Sequence, residues 1–118
     1  MASTRSSGSQ RDRPVFNEVI HSPIRLQVCA ILAEVDSLRF ADVQSTLGIT
    51  DSHLSKNVRV LADAGLVAQS KQHGQTAERQ RPVTVLALTP EGRRAYRQHA
   101  AWLAQITHEN IAPQADAR

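Results

Sequence analysis

The side chains best placed to grip a polyanion lie between residues 50 and 60. Ser52, Ser55, Lys56 and Arg59 are spaced three, one and three apart, which puts them on one side of a helix. Leu54, Val58 and Leu61 fall on the other side, as a buried face requires. Hydroxyl and ammonium groups bond phosphates or base edges, an arginine fork matches guanine bidentately, and His53 offers a donor and an acceptor. Thr50 stands where a helix of this kind is capped. A second group of the same chemistry follows: Lys71, Gln75, Arg79 and Arg81, in a polar run with Thr76 and Gln80. Basic groups on such a loop suit phosphates or a minor groove. Each group alone also fits an ordinary solvated surface, so the elements that carry them have to decide.

Charge is informative mainly through its distribution. The 118 residues carry 14 Lys and Arg against 11 Asp and Glu, a formal +3. Residues 1–14 hold Arg5, Arg11 and Arg13 against Asp12, and residues 69–89 hold Lys71, Arg79 and Arg81 against Glu78. The span 15–49 is net negative and 50–68 is balanced. Positive charge is thus concentrated in an N-terminal arm and one late loop, a weak footprint of polyanion binding.

Other chemistries find less support. The single cysteine, Cys29, excludes an internal disulfide and a cysteine-built zinc site; it reads as a small buried hydrophobe, with a redox-sensing thiol as the alternative. Five histidines (His21, His53, His73, His99 and His108) invite a metal-sensing reading, but His99 and His108 stand nine apart without the carboxylate and histidine spacing such sensors use. Solvated or interface histidines, able to tune binding with pH, are expected, with no metal and no cofactor. No nucleophile elbow, phosphate loop or paired-acid motif is present, and Gly74 is alone in its loop, so an enzyme is not expected.

The elements follow from punctuation and periodicity. Residues 1–14 are Ser- and Arg-rich and read as a disordered arm. A short helix is expected over Phe16 to Ile20. Ser22-Pro23 signals a helix start, and Ile24, Val28, Ile31, Leu32 and Val35 continue it over 23–35. Leu38 and Phe40 flank Arg39 in a short extended piece. Ala41 to Leu47 forms a second helix ended by Gly48, and Thr50 or Asp51 caps a third that runs to about Ala64 before Gly65. Two helices joined this tightly form a helix-turn-helix. Leu66 to Gln72 and Val83 to Leu88 make a hairpin with a long polar tip. Thr89-Pro90-Glu91 starts a last helix reaching about Ile111, after which Pro113 and residues 113–118 read as a disordered tail.

This order, and the segments His21-Ser22-Pro23-Ile24-Arg25-Leu26, Thr50-Asp51-Ser52-His53-Leu54-Ser55, Leu61-Ala62-Asp63-Ala64-Gly65-Leu66-Val67 and Leu88-Thr89-Pro90-Glu91-Gly92, resemble short winged-helix regulators related to the MarR and ArsR families. The resemblance covers residues 22–110, with His53 where asparagine is common. It implies a mainly α fold with a small β-hairpin (α+β), a winged helix-turn-helix over 15–112. The recognition helix would be about 51–64, the wing about 66–88 and a dimerisation helix about 90–111. It further implies a transcriptional regulator of the repressor kind that binds double-stranded DNA.

The last helix carries Ala95, Trp102, Leu103, Ile106 and Ile111, with Tyr96 and His99 between them. That apolar stripe is longer than a small domain covers alone, and it holds the single tryptophan. Ala95, Tyr96, His99, Trp102, Leu103 and Ile106 are therefore the expected contacts of a homodimer, the alternative being packing onto the first helix. A small-molecule effector would bind at the dimer cleft. No apolar run approaches the roughly 18 to 20 residues of a membrane span, and none follows the basic N-terminal residues as a secretory signal needs, so a cytoplasmic location is expected. A protein–protein docking module and a metal-responsive regulator are the competing functions.

Overall fold

The computed structural model describes residues 13–73 and 82–116, with side chains as far as His108. In chain order these residues form α1 (Pro23–Ala33), β1 (Leu38–Arg39), α2 (Phe40–Leu47), α3 (Asp51–Asp63), β2 (Val67–His73), β3 (Pro82–Leu88) and α4 (Pro90–Asp116). The strands make one antiparallel sheet in the order β1-β3-β2. Register runs from Val67 opposite Leu88 to His73 opposite Pro82, and Leu38 pairs with Leu86 on the other edge. The α+β architecture expected from the sequence is the one observed.

The core is built where helix and strand periodicities point inward. Val28, Cys29 and Leu32 of α1, Val43 of α2, Leu54, Val58 and Leu61 of α3, and Leu86 and Leu88 of β3 are buried together. β3 is the central strand, and Val85 and Leu86 are buried in succession in place of strict alternation. Gly48 and Gly65 end α2 and follow α3 at φ of 65° and 79°, backbone geometry that favours glycine.

The stretches Ala64-Gly65-Leu66-Val67 and Leu88-Thr89-Pro90-Glu91-Gly92 meet in space. The Thr89 N–H donates to the Leu66 carbonyl (3.0 Å), and the Thr89 hydroxyl donates to the Gly65 carbonyl (2.7 Å) while accepting the Gly92 N–H (2.9 Å). Thr89 is thus the N-cap of α4 and the clasp that sets where the hairpin leaves α3. A Cβ at Gly92 would collide with the Leu66 carbonyl, so only glycine admits this approach. Arg93 then donates to the Ala33 and Val35 carbonyls (3.4 and 2.8 Å), satisfying the C-terminal end of α1.

Two expectations need correction. Phe16 to Ile20 is not a helix: only residues 18–20 form a turn, in which the Asn17 side chain accepts the Ile20 N–H (3.0 Å) and the Asn17 carbonyl accepts the His21 N–H (2.9 Å). Ser22 is the N-cap residue of α1 and Pro23 its first residue, as expected, although the Ser22 side chain makes no capping bond. The last helix continues past Pro113 to Asp116, so residues 113–116 are not a disordered tail. Alanine and glutamine around the proline are strong helix formers. The expected arm lies outside the described residues up to position 12.

Candidate nucleic-acid interface

The outward face begins with a cap. The Thr50 hydroxyl accepts the His53 N–H (3.1 Å), and Gly48 turns the chain sharply before it, so α3 starts immediately beyond α2. From this start the 3.6-residue period sends Ser52, His53, Ser55, Lys56 and Arg59 to solvent, while Leu54, Val58 and Leu61 enter the core. Asp51, Ser52, Ser55, Lys56 and Arg59 line an open groove of about 640 Å³, closed on its far side by Gln69 of β2. The Ser55 hydroxyl rests on Asp51 (3.4 Å). On the hairpin, Lys71 donates to the Thr84 hydroxyl across the strands (2.9 Å), which holds its ammonium on the sheet surface. Gln75, Arg79 and Arg81 of the hairpin tip lie outside the described residues.

Behind this face stands a brace that sequence reasoning missed. Asn57, on the inner side of α3, is buried; its amide donates to the His53 carbonyl (2.9 Å) and its oxygen accepts from Arg25 Nη1 of α1 (3.1 Å). Arg25 Nε in turn donates to the Val19 carbonyl (2.5 Å). A guanidinium shared between two uncharged acceptors fixes the first turns of α3 against α1 and the segment before it. Its signal in the sequence, a polar Asn among Leu54, Val58 and Leu61, was visible but unread. Gln69 was also missed, because β2 reads as an ordinary strand.

The last helix divides its stripe. Ala95 and Tyr96 pack on the protomer's own core, and Trp102, Leu103 and Ile106 are half-buried. His99 is fully buried within the chain, against the expectation of a solvated or interface residue: Phe16, Asn17, His21 and Trp102 enclose it. Cys29 is buried, and desolvation, opposed by Arg25, pushes its thiol up to about 12. Burial likewise raises Tyr96, with Cys29 and Glu34 adding to it. Among the described residues no group of three or more His, Cys, Asp and Glu comes together to hold a metal, and no helix is long and apolar enough to cross a membrane.

An exposed polar helix face set beside a hairpin, on a rigid core, is the arrangement that enters a major groove. Residues 24–107 match the profile of the winged helix DNA-binding domain. The chain belongs to that family. No curated protein sequence matches this winged-helix chain. Solved structures similar to it include a transcriptional regulator homologue from Pyrococcus horikoshii OT3, with a TM-score of 0.71 and 25% identity over 80% of this chain and 90% of that one. A MarR-family regulator from Enterococcus faecalis V583, described as putative, aligns with a TM-score of 0.63 and 24% identity, over 86% and 84% of the two chains. PcaV of Streptomyces coelicolor, a transcriptional regulator solved with its natural ligand, gives 0.64 and 24%; the winged-helix chain aligned to it spans 65% of its length.

Proposed function

We propose that this winged-helix protein is a sequence-specific regulator of transcription, a repressor by occupancy, which binds double-stranded DNA as a homodimer. The observation that carries the reading is the groove formed by Asp51, Ser52, Ser55, Lys56 and Arg59 with Gln69 of the wing, in which hydroxyl, ammonium, guanidinium and amide groups stand exposed beside one carboxylate, itself bonded by Ser55. Ser52, His53 and Ser55 lie at the N-terminal end of the helix, the end that reaches base edges. Thr50 and Lys56 fall to phosphates, Arg59 to a guanine or phosphate, and Lys71, Gln75, Arg79 and Arg81 to flanking DNA. Trp102, Leu103 and Ile106 continue the apolar stripe of α4 beyond the segment packed on the core and form the heart of the homodimer contact. A two-fold axis there sets two recognition helices in successive major grooves, so the operator is a pseudo-palindrome. A small-molecule effector fits the cleft between α1 and α4 of such a dimer, and PcaV, solved with a natural ligand, is a precedent in fold.

Fluorescence anisotropy tests this with a duplex selected by the protein from a random pool and a scrambled duplex, at about 50 and 200 mM salt. Preference for the selected duplex, with affinity falling steeply as salt rises, is expected. Equal affinity for both duplexes removes the sequence-specific reading, and no binding at low salt turns the outward face of α3 into a protein-docking surface.

A further inference from the structure

Residues 13–21 lie across α4 and are fastened to it by an unusual pair. The Val15 N–H donates to the Gln98 carbonyl (3.0 Å), and Ile20 is fully buried. Between these points the Asn17 N–H donates to His99 Nδ1 (3.0 Å), and His21 Nδ1 lies 3.2 Å from His99 Nε2. Trp102 stacks on His99 at 5.6 Å between ring centroids, with planes 13° apart, and Phe16 meets both edge-on.

The hydrogen bonds assign the protons. A ring nitrogen that accepts a backbone N–H carries no proton, so neutral His99 holds its proton on Nε2. Nε2–H therefore donates to His21 Nδ1, and neutral His21 carries its own proton on Nε2. The nitrogen of His99 that faces His21 is a donor, so the pair is not a metal clamp. Adding a proton to either ring sets donor against donor: on His99 Nδ1 it opposes the Asn17 N–H, and on His21 Nδ1 it opposes His99 Nε2–H.

The same segment carries the brace of the recognition helix. The Val19 carbonyl holds Arg25, Arg25 holds Asn57, and Asn57 holds the His53 carbonyl. We infer that the His21–His99 pair is a proton-operated latch: with both rings neutral it holds residues 13–21 on α4, and protonation releases them and loosens the Arg25–Asn57 brace, weakening DNA binding. The final step rests on the DNA-binding reading above; the latch itself does not.

The surroundings fix the sign. The titratable group facing His99 from the N-terminal segment is His21. On α1, Cys29 and Glu34 face Tyr96, and Arg25 is held by Val19 and Asn57. On α4, Arg93 is held by α1 carbonyls, and Arg97 has partners of its own. No carboxylate among the described residues bonds either imidazole to favour its cation. Burial, and then His21, hold His99 below the ordinary value of 6.5. The released form binds the proton more readily than the closed form, so closure is complete above about pH 6.5 and is lost as pH falls below it.

Two measurements on the full chain test this. Imidazole nitrogen NMR at pH 8 should show His99 as the Nε2–H form, and emission of Trp102 should change through one transition below pH 6.5 as the stack breaks. His99→Asn, whose amide oxygen replaces Nδ1 as acceptor for Asn17, should abolish that transition; His21→Gln, at an exposed position, should displace it and serves if His99→Asn fails to fold. In anisotropy with the selected duplex, wild-type affinity should fall from pH 8 to 5.5, in step with the Trp102 transition. An Nδ1–H form of His99, or a Trp102 transition unchanged in His21→Gln, overturns the latch. Equal DNA affinity at both pH values alongside an intact Trp102 transition overturns its coupling to α3. Failure of the wild type to bind any duplex at pH 8 overturns the DNA-binding reading, and with it the coupling, while the NMR and emission results still decide the latch.

Discussion

The two sides of α3 use polar residues in opposite ways. On the outer side Ser52, Lys56 and Arg59 stand exposed around an open groove. On the inner side Asn57 is buried and spends its amide nitrogen on the His53 carbonyl and its oxygen on Arg25. Hydrogen-bonding capacity left facing water remains for a ligand, whereas capacity already used inside holds the helix at a fixed angle. A groove reader needs both, since side chains find base edges only if the helix presenting them does not shift. Substitutions on the inner side should therefore cost stability first, and those on the outer side should cost DNA affinity alone.

The largest expected effect is Gly92→Ala. The added Cβ meets the Leu66 carbonyl, which is itself held by the Thr89 N–H and cannot yield freely. We expect a loss of about 3 kcal/mol in urea unfolding, near the upper range for overpacking. A variant as stable as wild type would show that the junction between α3 and α4 is looser than the inner-side account requires.

Next comes Asn57→Ala. It leaves an arginine without one acceptor and removes the side-chain donor that supplements the helix bond to the His53 carbonyl, in a part-buried setting. About 2 kcal/mol of stability should be lost, together with affinity for DNA. If stability fell while affinity for the selected duplex held, Asn57 would be a core residue with no part in aiming the helix.

Lys56→Ala and Arg59→Ala probe the outer side. Both residues are exposed, so folding stability should stay within about 0.5 kcal/mol of wild type. Affinity for the selected duplex should fall about tenfold for each, with a shallower dependence on salt. Loss of stability in either variant would erase the contrast between the two sides.

What was legible in the sequence follows the same division. The outer side of α3, its Thr50 cap, the glycines after α2 and α3, and the hairpin are local patterns, and they stand where spacing placed them. The inner contacts join distant residues: Arg25 to Asn57, Asn17 and His21 to His99. Such pairs leave no periodic trace in one sequence, so His99 read as an interface residue and Phe16 to Ile20 as a helix. The apolar content of Val15, Phe16, Val19 and Ile20 was real, but Val15 and Phe16 meet α4, and Ile20 and Val19 join the core, without a helix of their own.

Cys29 gives the smallest effect at neutral pH and tests the inner side by chemistry. Its thiol is fully buried beside the α1 residues that carry the brace, and its titration is pushed from 9.0 to about 12 chiefly by desolvation. The native chain therefore presents almost no thiolate near pH 8, and a disulfide reagent should modify it only at the rate of unfolding. In the unfolded chain the same thiol ionises near 9.0. Between pH 9 and 12 the native state thus holds the proton that the unfolded state has lost, so stability falls as pH rises through that window. Cys29→Ala should flatten this alkaline loss relative to wild type in thermal unfolding. Rapid labelling at pH 8 under native conditions would mean that the inner side opens often, and that α3 is held less firmly than its hydrogen bonds imply.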